Sequence, residues 1–147
     1  MTRAISLTIS SDPEQLAPVR HAIEKIASDL GFDSDAVAKI GLCVNEALAN
    51  VIRHAYQGST DQPIQINAEP TNVGLKIIIR DWGNGVNPDT LPPKPHDPLK
   101  PGGLGLICMR EMMDEVIFEP QDKGMQLTMN KKRADRPDEN HSVGAAA

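Results

Sequence analysis

A Glu and an Asn stand four residues apart in the longest helical pattern of the chain, which runs from about residue 34 to 56. At about 100° per residue, Glu46, Asn50 and Arg53 fall on one side of this helix. The opposite side carries six apolar residues, Val37, Ile40, Val44, Leu48, Val51 and Ala55. We therefore expect Glu46 and Asn50 to face outward and to reach one shared point, where the carboxamide oxygen can hold a hard cation and the carboxylate can take a proton. A plain solvated polar face is the alternative for this pair taken alone.

A second polar group follows an apolar strand pattern. Asp81 comes directly after the predicted strand 73–80 and is followed by Gly83 and Gly85. A carboxylate in this position can accept a hydrogen bond from an exocyclic amine, and the two glycines let a flat ring lie against bare backbone. A simple β-turn is the alternative, because Asp-x-Gly-x-Gly is common turn chemistry.

A third segment is rich in glycine. Gly102, Gly103, Leu104 and Gly105 lead into an apolar helical pattern that ends near Met113. A helix N-terminus entered in this way presents unpaired N–H groups to an anion. The segment lacks the Lys-Ser or Lys-Thr of a Walker loop, and the spacing and the preceding loop do not fit a Rossmann fingerprint. A flexible hinge beside a buried helix is the alternative.

Hydrophobic periodicity predicts five strands and three helices around these residues. We predict helices over 13–30, over 34–56 and from the glycine-rich segment to Met113. We predict strands over 3–10, 63–69, 73–80, 115–119 and 125–130. The six prolines within 86–101 predict a loop long enough to be a lid or a binding segment. Residues 133–147 have almost nothing to bury, so we predict one domain over 1–132 and a disordered tail over 133–147.

Composition excludes several classes of function. The chain has 147 residues and a net charge of -5, and its one dense basic run is 131–133, so direct nucleic-acid binding is not expected. Cys43 and Cys108 lack the spacing of a zinc site and are expected to be buried thiols. There is no run of 18 apolar residues and no signal-peptide pattern, so we expect a cytoplasmic protein without a membrane segment.

The three segments occur in one order, and that ordered set resembles the N, G1 and G2 boxes of the ATP-binding fold shared by gyrase-type ATPases, Hsp90, histidine kinases and MutL. Three phrases narrow the resemblance to the bacterial anti-sigma factor serine/threonine kinases: Asn-Glu-Ala at 45–47 with Asn50, Arg-His-Ala-Tyr at 53–56, and Gly-Gly-Leu-Gly-Leu at 102–106 followed by Met-Asp at 113–114. The resemblance covers about residues 3–131. It implies an α+β fold, a two-layer sandwich of a mostly antiparallel mixed sheet with helices on one face.

The resemblance also implies roles at the helix and at the strand end. Glu46 would be the general base that takes the proton of the acceptor hydroxyl, and Asn50 would ligate the Mg²⁺ that bridges the phosphates. Asp81 would bind the adenine amino group, and Gly83 and Gly85 would leave room for the ring.

The glycine-rich segment would form the phosphate side of the site. Gly103 and Gly105, with Gly102 and Leu104 between and beside them, would let the lid and the helix N-terminus close on the phosphates. Many relatives place an Arg just before this run, where this chain has Lys100-Pro101. A phosphate contact would therefore fall to Lys100 as a point charge, or be absent.

The function implied is that of an ATP-dependent kinase that phosphorylates a Ser or Thr of a small anti-sigma-factor antagonist and also sequesters a sigma factor. It would bind ATP or ADP with Mg²⁺, and relatives suggest a homodimer. The alternative is a nucleotide-gated module that binds a partner without phosphorylating it. Glu46 favours the enzyme, because a pure nucleotide binder has no need of a carboxylate beside the metal. His54 follows the metal ligand and is expected to be a packed or capping residue, so a complete histidine kinase is not expected.

Overall fold

Five antiparallel strands form the sheet. The computed structural model describes residues 2–84 and 105–134, with only the backbone of 105–108. In this part of the chain the strands are β1 Ile5–Ser10, β2 Pro63–Pro70, β3 Gly74–Asp81, β4 Glu115–Pro120 and β5 Met125–Lys132. Their spatial order is β1-β2-β3-β5-β4, and each of the four ladders is antiparallel. The sequence predictions for the loop at 86–101 and for residues 135–147 of the tail lie outside the described residues.

Alternation of apolar and polar residues explains why these segments are strands. In β2 and β3, Ile64, Ile66, Ile77 and Ile79 are buried, while the residues between them are more exposed. The register places Ile66 opposite Ile79. One face of the sheet is therefore apolar and must be covered.

Helices cover that face. They are α1 Leu16–Asp29, α2 Ser34–Asn50 and α3 Gly105–Met112. Asp33 caps α2 by accepting a hydrogen bond from the Ala36 N–H at 2.8 Å. The first helix was predicted over 13–30, but its first three residues, Pro13–Gln15, form a 3₁₀ turn before α1, and Asp12 accepts from the Glu14 N–H there at 2.9 Å.

The end of the second predicted helix differs from a regular α-helix. Residues Val51–Ala55 form a π-helical turn directly after α2. The Tyr56 N–H donates to the Val51 carbonyl, five residues back, at 3.0 Å. Isolated π turns are found mostly inside longer helices and frequently at functional sites.

The core lies between the sheet and the helices. It is built almost entirely from aliphatic residues and methionine, as the low aromatic content of 3% requires. Cys43 is fully buried in it, with its Sγ 3.9 Å from the Sδ of Met112. The α+β two-layer prediction is confirmed. Among the described residues, no helix has the length and apolar character needed to cross a membrane.

Candidate functional site

A pocket opens between the end of α2 and the edge of the sheet where β3 ends. The space between its atoms is about 500 Å³, counted together with the open solvent at its mouth. Most of the lining side chains are apolar. The lining consists of Ala47, Asn50, Val51, His54, Ala55, Ile79, Asp81, Gly83, Met109, Phe118, Gly124, Met125 and Leu127. Two of the predicted segments therefore contribute to one cavity.

Asp81 is the carboxylate of this pocket. It is the last residue of β3 rather than the first residue after it, and only 4% of its surface is exposed. Burial raises the pKa of the Asp81 carboxyl above its usual value of 3.8, although a hydrogen bond from the Gly83 N–H and the charge of Arg80 act in the opposite direction. The Gly83 N–H donates to Asp81 Oδ1 at 3.0 Å. A buried carboxylate in an apolar pocket is a strong acceptor for a donor that enters the pocket.

Gly83 lies against the backbone at the end of the π turn. A Cβ placed at Gly83 would clash with the Ala55 carbonyl and lie 2.8 Å from the Ala55 Cβ. That carbonyl also accepts a hydrogen bond from the Asn84 N–H at 3.2 Å. Only glycine permits this approach, which joins the Asp81 turn to the helix that carries Asn50.

Tyr56 makes a second connection between the same two segments. Its hydroxyl donates to the Pro63 carbonyl at 2.5 Å and accepts from the Trp82 N–H at 2.9 Å. Burial raises the pKa of the Tyr56 hydroxyl, so it stays protonated and remains a donor at neutral pH.

Glu46 does not face outward as the helical periodicity predicted. Only 6% of its surface is exposed. Arg53 lies over it, and one guanidinium nitrogen, Nη2, donates both to Glu46 Oε1 at 3.2 Å and to Asn50 Oδ1 at 2.7 Å. The physical reason is that Glu46 has the buried residues Cys43 and Ala47 beside it on α2, and the Arg53 side chain covers its carboxylate. The predicted meeting of Glu46 and Asn50 at one point is seen, and a cationic nitrogen lies at that point.

The turn between β4 and β5 supplies pocket residues that sequence reasoning missed. Phe118, Gly124 and Met125 line the cavity. Gly124 has a φ of 87°, and a Cβ there would clash with the Asp81 carbonyl. The turn itself was predicted from the sequence. The turn lies beside Asp81 because β5 pairs with β3, which places Met125 opposite Asp81. Local sequence does not encode this pairing.

The oxygen atoms near Arg53 fit a hard cation. Among residues 2–84 and 105–134 no group of three or more His, Cys, Asp or Glu side chains is placed to hold a metal. Glu46 Oε1 and Asn50 Oδ1 already share one cationic partner, and carboxylate and carboxamide oxygens are the donors that Mg²⁺ prefers. A Mg²⁺ ion whose ligands are mostly phosphate oxygens and water needs few oxygen ligands from the protein.

The remaining predicted residues are Gly85 and those of the glycine-rich segment with Lys100. Gly105 begins α3. Gly85, Lys100, Gly102, Gly103 and Leu104 lie outside the described residues, so the structure neither brings them to the pocket nor keeps them away.

The fold is a five-stranded antiparallel sheet, with a buried Asp at a strand end beside a helix that carries an Asn. Residues 9–131 match the family described as the histidine kinase-like ATPase domain. The chain belongs to this family. It therefore carries an ATP-binding domain, and the pocket beside Asp81 is the candidate site.

Several relatives share one name, serine-protein kinase RsbW. The protein from Halalkalibacterium halodurans is 32% identical over 135 residues, covering 86% of this chain and 82% of its own length. Those from Bacillus subtilis and Listeria monocytogenes serovar 1/2a are 27% and 28% identical, cover the same 86% of this chain, and are matched over 84% and 85% of their own lengths.

A solved structure shares the fold. It contains the RsbU and RsbW domains of a Mycobacterium tuberculosis protein and superposes with a TM-score of 0.66 at 16% identity. The match covers 91% of this chain, which spans only 34% of that longer chain.

Proposed function

We propose that this chain is an ATP-dependent serine/threonine-protein kinase and anti-sigma factor, which phosphorylates a small antagonist protein and sequesters a sigma factor. The observation that carries the proposal is that the base candidate Glu46 and the metal-ligand candidate Asn50 converge on one point, while Asn50 and the buried Asp81 line the same pocket. The relatives named serine-protein kinase support the same conclusion.

Asp81 binds the adenine amino group. Its carboxylate lies in a pocket lined by Ile79, Met109 and Leu127, which bury the faces of a flat ring. Gly83 and Gly85 leave space for the ring edge. An exocyclic amine donates to the Asp81 carboxylate, and the desolvation that raises the pKa of Asp81 makes that hydrogen bond more valuable than one formed in water.

Asn50 and Glu46 act at the reacting end. Mg²⁺, when bound, neutralises charge on the phosphates and holds them in line. Asn50 offers its Oδ1 as a metal ligand. Glu46 accepts the proton of the acceptor Ser or Thr hydroxyl as that oxygen bonds to the terminal phosphorus and the bond to ADP breaks. We assign phosphate binding to Gly102, Gly103, Leu104 and Gly105, with any further phosphate contact falling to Lys100.

The partners are proteins. A net charge of -5 gives little attraction for nucleic acid, which agrees with a role in partner exchange in the cytoplasm. We place the antagonist, the sigma factor and a second copy of this chain among the partners.

A second function, nucleotide-gated binding without transfer, is favoured by one observation. Glu46 is 6% exposed and already paired with Arg53, so an incoming hydroxyl does not meet a free carboxylate in this arrangement. A protein that binds and releases its partner with nucleotide needs no base.

Substitution of Glu46 distinguishes the two functions. Glu46→Gln keeps an acceptor for Arg53 but cannot take a proton, so transfer of labelled phosphate from ATP to the co-purifying antagonist should slow by roughly 10² to 10⁴-fold. ATP binding should be little changed. Glu24→Gln is the matched control, because Glu24 is also a partly buried helical carboxylate near an arginine, Arg20 at 3.9 Å, away from the pocket.

Two results would contradict the kinase proposal in different ways. Transfer by Glu46→Gln at the wild-type rate would exclude Glu46 as the base. Mg-ATP binding by the wild type with no transfer to any co-purifying protein would establish the binding module instead.

A further inference from the structure

Arg53 contacts both Glu46 and Asn50, the proposed general base and the proposed metal ligand. Its Nη2 lies 2.7 Å from Asn50 Oδ1 and 3.2 Å from Glu46 Oε1. A nitrogen with two protons can donate to both oxygens at once, and both bonds are assisted by the positive charge. The periodicity places Arg53 on the same helix side as Glu46 and Asn50, but the proposed phosphoryl transfer leaves it without a role.

The three side chains differ in their freedom to move. The Glu46 side chain is 7% exposed, whereas that of Arg53 is 53% exposed. A buried carboxylate that loses its counter-charge is costly, so Glu46 requires a cation close by. The Arg53 side chain, which is long and half in water, can leave Asn50 without disturbing the core.

Two cations cannot share the Asn50 oxygen at low cost. Magnesium binds oxygen at about 2.1 Å, which would place it within a few ångströms of a guanidinium nitrogen that still held the same atom. Charges of the same sign repel strongly at that distance, because the Coulomb energy rises as the inverse of their separation. Occupation of Asn50 by a metal and by Arg53 are therefore alternatives.

We propose that Arg53 is a positioning residue whose guanidinium occupies the metal position in the nucleotide-free protein. There it keeps Asn50 Oδ1 and Glu46 Oε1 directed at one point. When Mg-ATP binds, Arg53 breaks its hydrogen bond to Asn50. The inference rests on the proposed function, since it needs Asn50 as the metal ligand. Arg53 thus competes with magnesium for Asn50, and it retains contact with Glu46 so that the buried carboxylate keeps a cationic partner.

A magnesium titration tests this. ATP binding is followed by calorimetry at fixed ATP while Mg²⁺ is varied, for the wild type, Arg53→Gln and Arg53→Lys. Without the competing charge, Arg53→Gln should reach half-maximal Mg²⁺-dependent binding at about three- to tenfold lower Mg²⁺, the factor expected from one charge-assisted hydrogen bond. Arg53→Lys, which keeps the charge without the planar fork, should fall between the two.

The control removes the same charge from the same helix. Lys39 pairs with Asp35 at 3.0 Å on the exposed side of α2, away from the pocket, so Lys39→Gln should leave the Mg²⁺ midpoint unchanged. A purely structural Arg53 predicts a different result: Arg53→Gln would weaken ATP binding equally with Mg²⁺ and with chelator, and the midpoint would stay in place. An unchanged or higher midpoint overturns the proposal.

A measurement on the wild type keeps the test decisive if Arg53→Gln fails to fold. Arginine side-chain NMR should show the Arg53 guanidinium signals shifting with Mg-ATP and staying in place with ATP and chelator. Signals that do not respond to Mg-ATP overturn the proposal. Failure of the wild type to bind ATP at all would instead reject the proposed function.

Discussion

The Tyr56 hydroxyl accepts a hydrogen bond from the Trp82 backbone N–H at 2.9 Å. Tyr56 follows the helical segment that carries Glu46 and Asn50, and Trp82 follows the carboxylate Asp81. One hydrogen bond therefore joins the segment that carries Asp81 to the helix that carries Glu46 and Asn50, across 26 residues of chain.

Tyr56→Phe should weaken both stability and nucleotide binding. The substitution leaves the Trp82 N–H without its tyrosine acceptor, which should lower the free energy of unfolding by about 1–2 kcal/mol. Because the segment after Asp81 is then no longer held by the Tyr56 hydroxyl, ATP affinity should also fall by a few-fold. Urea denaturation and calorimetry measure the two effects.

A second buried hydroxyl provides the control for Tyr56→Phe. Ser11 Oγ donates to the Ser59 carbonyl at 2.5 Å and accepts from the Gln62 N–H at 3.1 Å, so it has the same pattern of bonds at a site that does not line the pocket. Ser11→Ala should cost similar stability and leave ATP affinity unchanged. Equal losses of ATP affinity in the two variants would show that Tyr56 acts only through general stability.

Asp81→Asn should weaken ATP binding by roughly 1–3 kcal/mol, because the carboxamide is a poorer acceptor for the adenine amine and presents its own donors to it. Calorimetry measures the change, and Asp122→Asn, in the exposed β4–β5 turn, removes the same charge as a control. Unchanged ATP affinity in Asp81→Asn would mean that Asp81 is a turn residue only.

The same substitution should change the pH dependence of stability. The pKa of Asp81 is raised on folding, so the folded protein binds this proton more tightly than the unfolded chain does. Its contribution is fully present below the usual value of 3.8 and is lost as pH rises through the folded pKa. Relative to wild type, Asp81→Asn without nucleotide should therefore gain stability between acid and neutral pH. Denaturation curves at several pH values measure this, and a relative loss of stability over that range would contradict burial as the dominant cause.

Asn50→Ala should remove the magnesium dependence of ATP binding and leave the fold intact, since Asn50 is half-buried at the pocket rather than in the core. Binding is measured with Mg²⁺ and with chelator. Asn45→Ala, the same replacement on the same helix but away from the pocket lining, is the control. Wild-type ATP affinity that is indifferent to chelator would reject the role of Asn50, and an unfolded variant would make its carboxamide structural.

Gly124→Ala should reduce nucleotide binding through the Asp81 backbone. Gly124 and Gly58 have φ values of 87° and 85°, so alanine costs roughly 1 kcal/mol of backbone strain at either position. Only the Cβ at Gly124 would clash with Asp81; nothing lies within 4 Å of the one at Gly58. Fluorescence of Trp82, the single tryptophan of the chain, can follow ATP binding in both variants. Equal ATP affinities would show that the β4–β5 turn does not shape the pocket.

Much of the fold could be predicted from the sequence, because its signals are local. Alternation in β2 and β3 and helical spacing in α1 predicted elements within a few residues of those observed. Asp12 and Asp33 cap the segments that directly follow them in the sequence. The α+β class follows from these elements and from the ordered motifs.

The site was harder to predict, because its geometry depends on contacts between distant segments. The exposure of Glu46 was predicted wrongly. Periodicity indicates the side of the helix on which Glu46 lies, but it does not show that the Arg53 side chain covers the Glu46 carboxylate. The contribution of Phe118 and Met125 depends on strand order, which no local pattern fixes. The π turn has no sequence signal of its own.

The π turn at Val51–Ala55 affects how many residues can lie between Asn50 and Tyr56. One additional residue is accommodated there, and the Tyr56 N–H reaches back five positions to Val51. Deletion of a single residue between Asn50 and Tyr56 would replace this turn with a regular α-helical turn, and because each covers about one turn around the axis, Tyr56 would keep its direction. Tyr56 would then still face Trp82, so this turn is the place where the length of the segment can change by one residue while the contact between the two segments is kept.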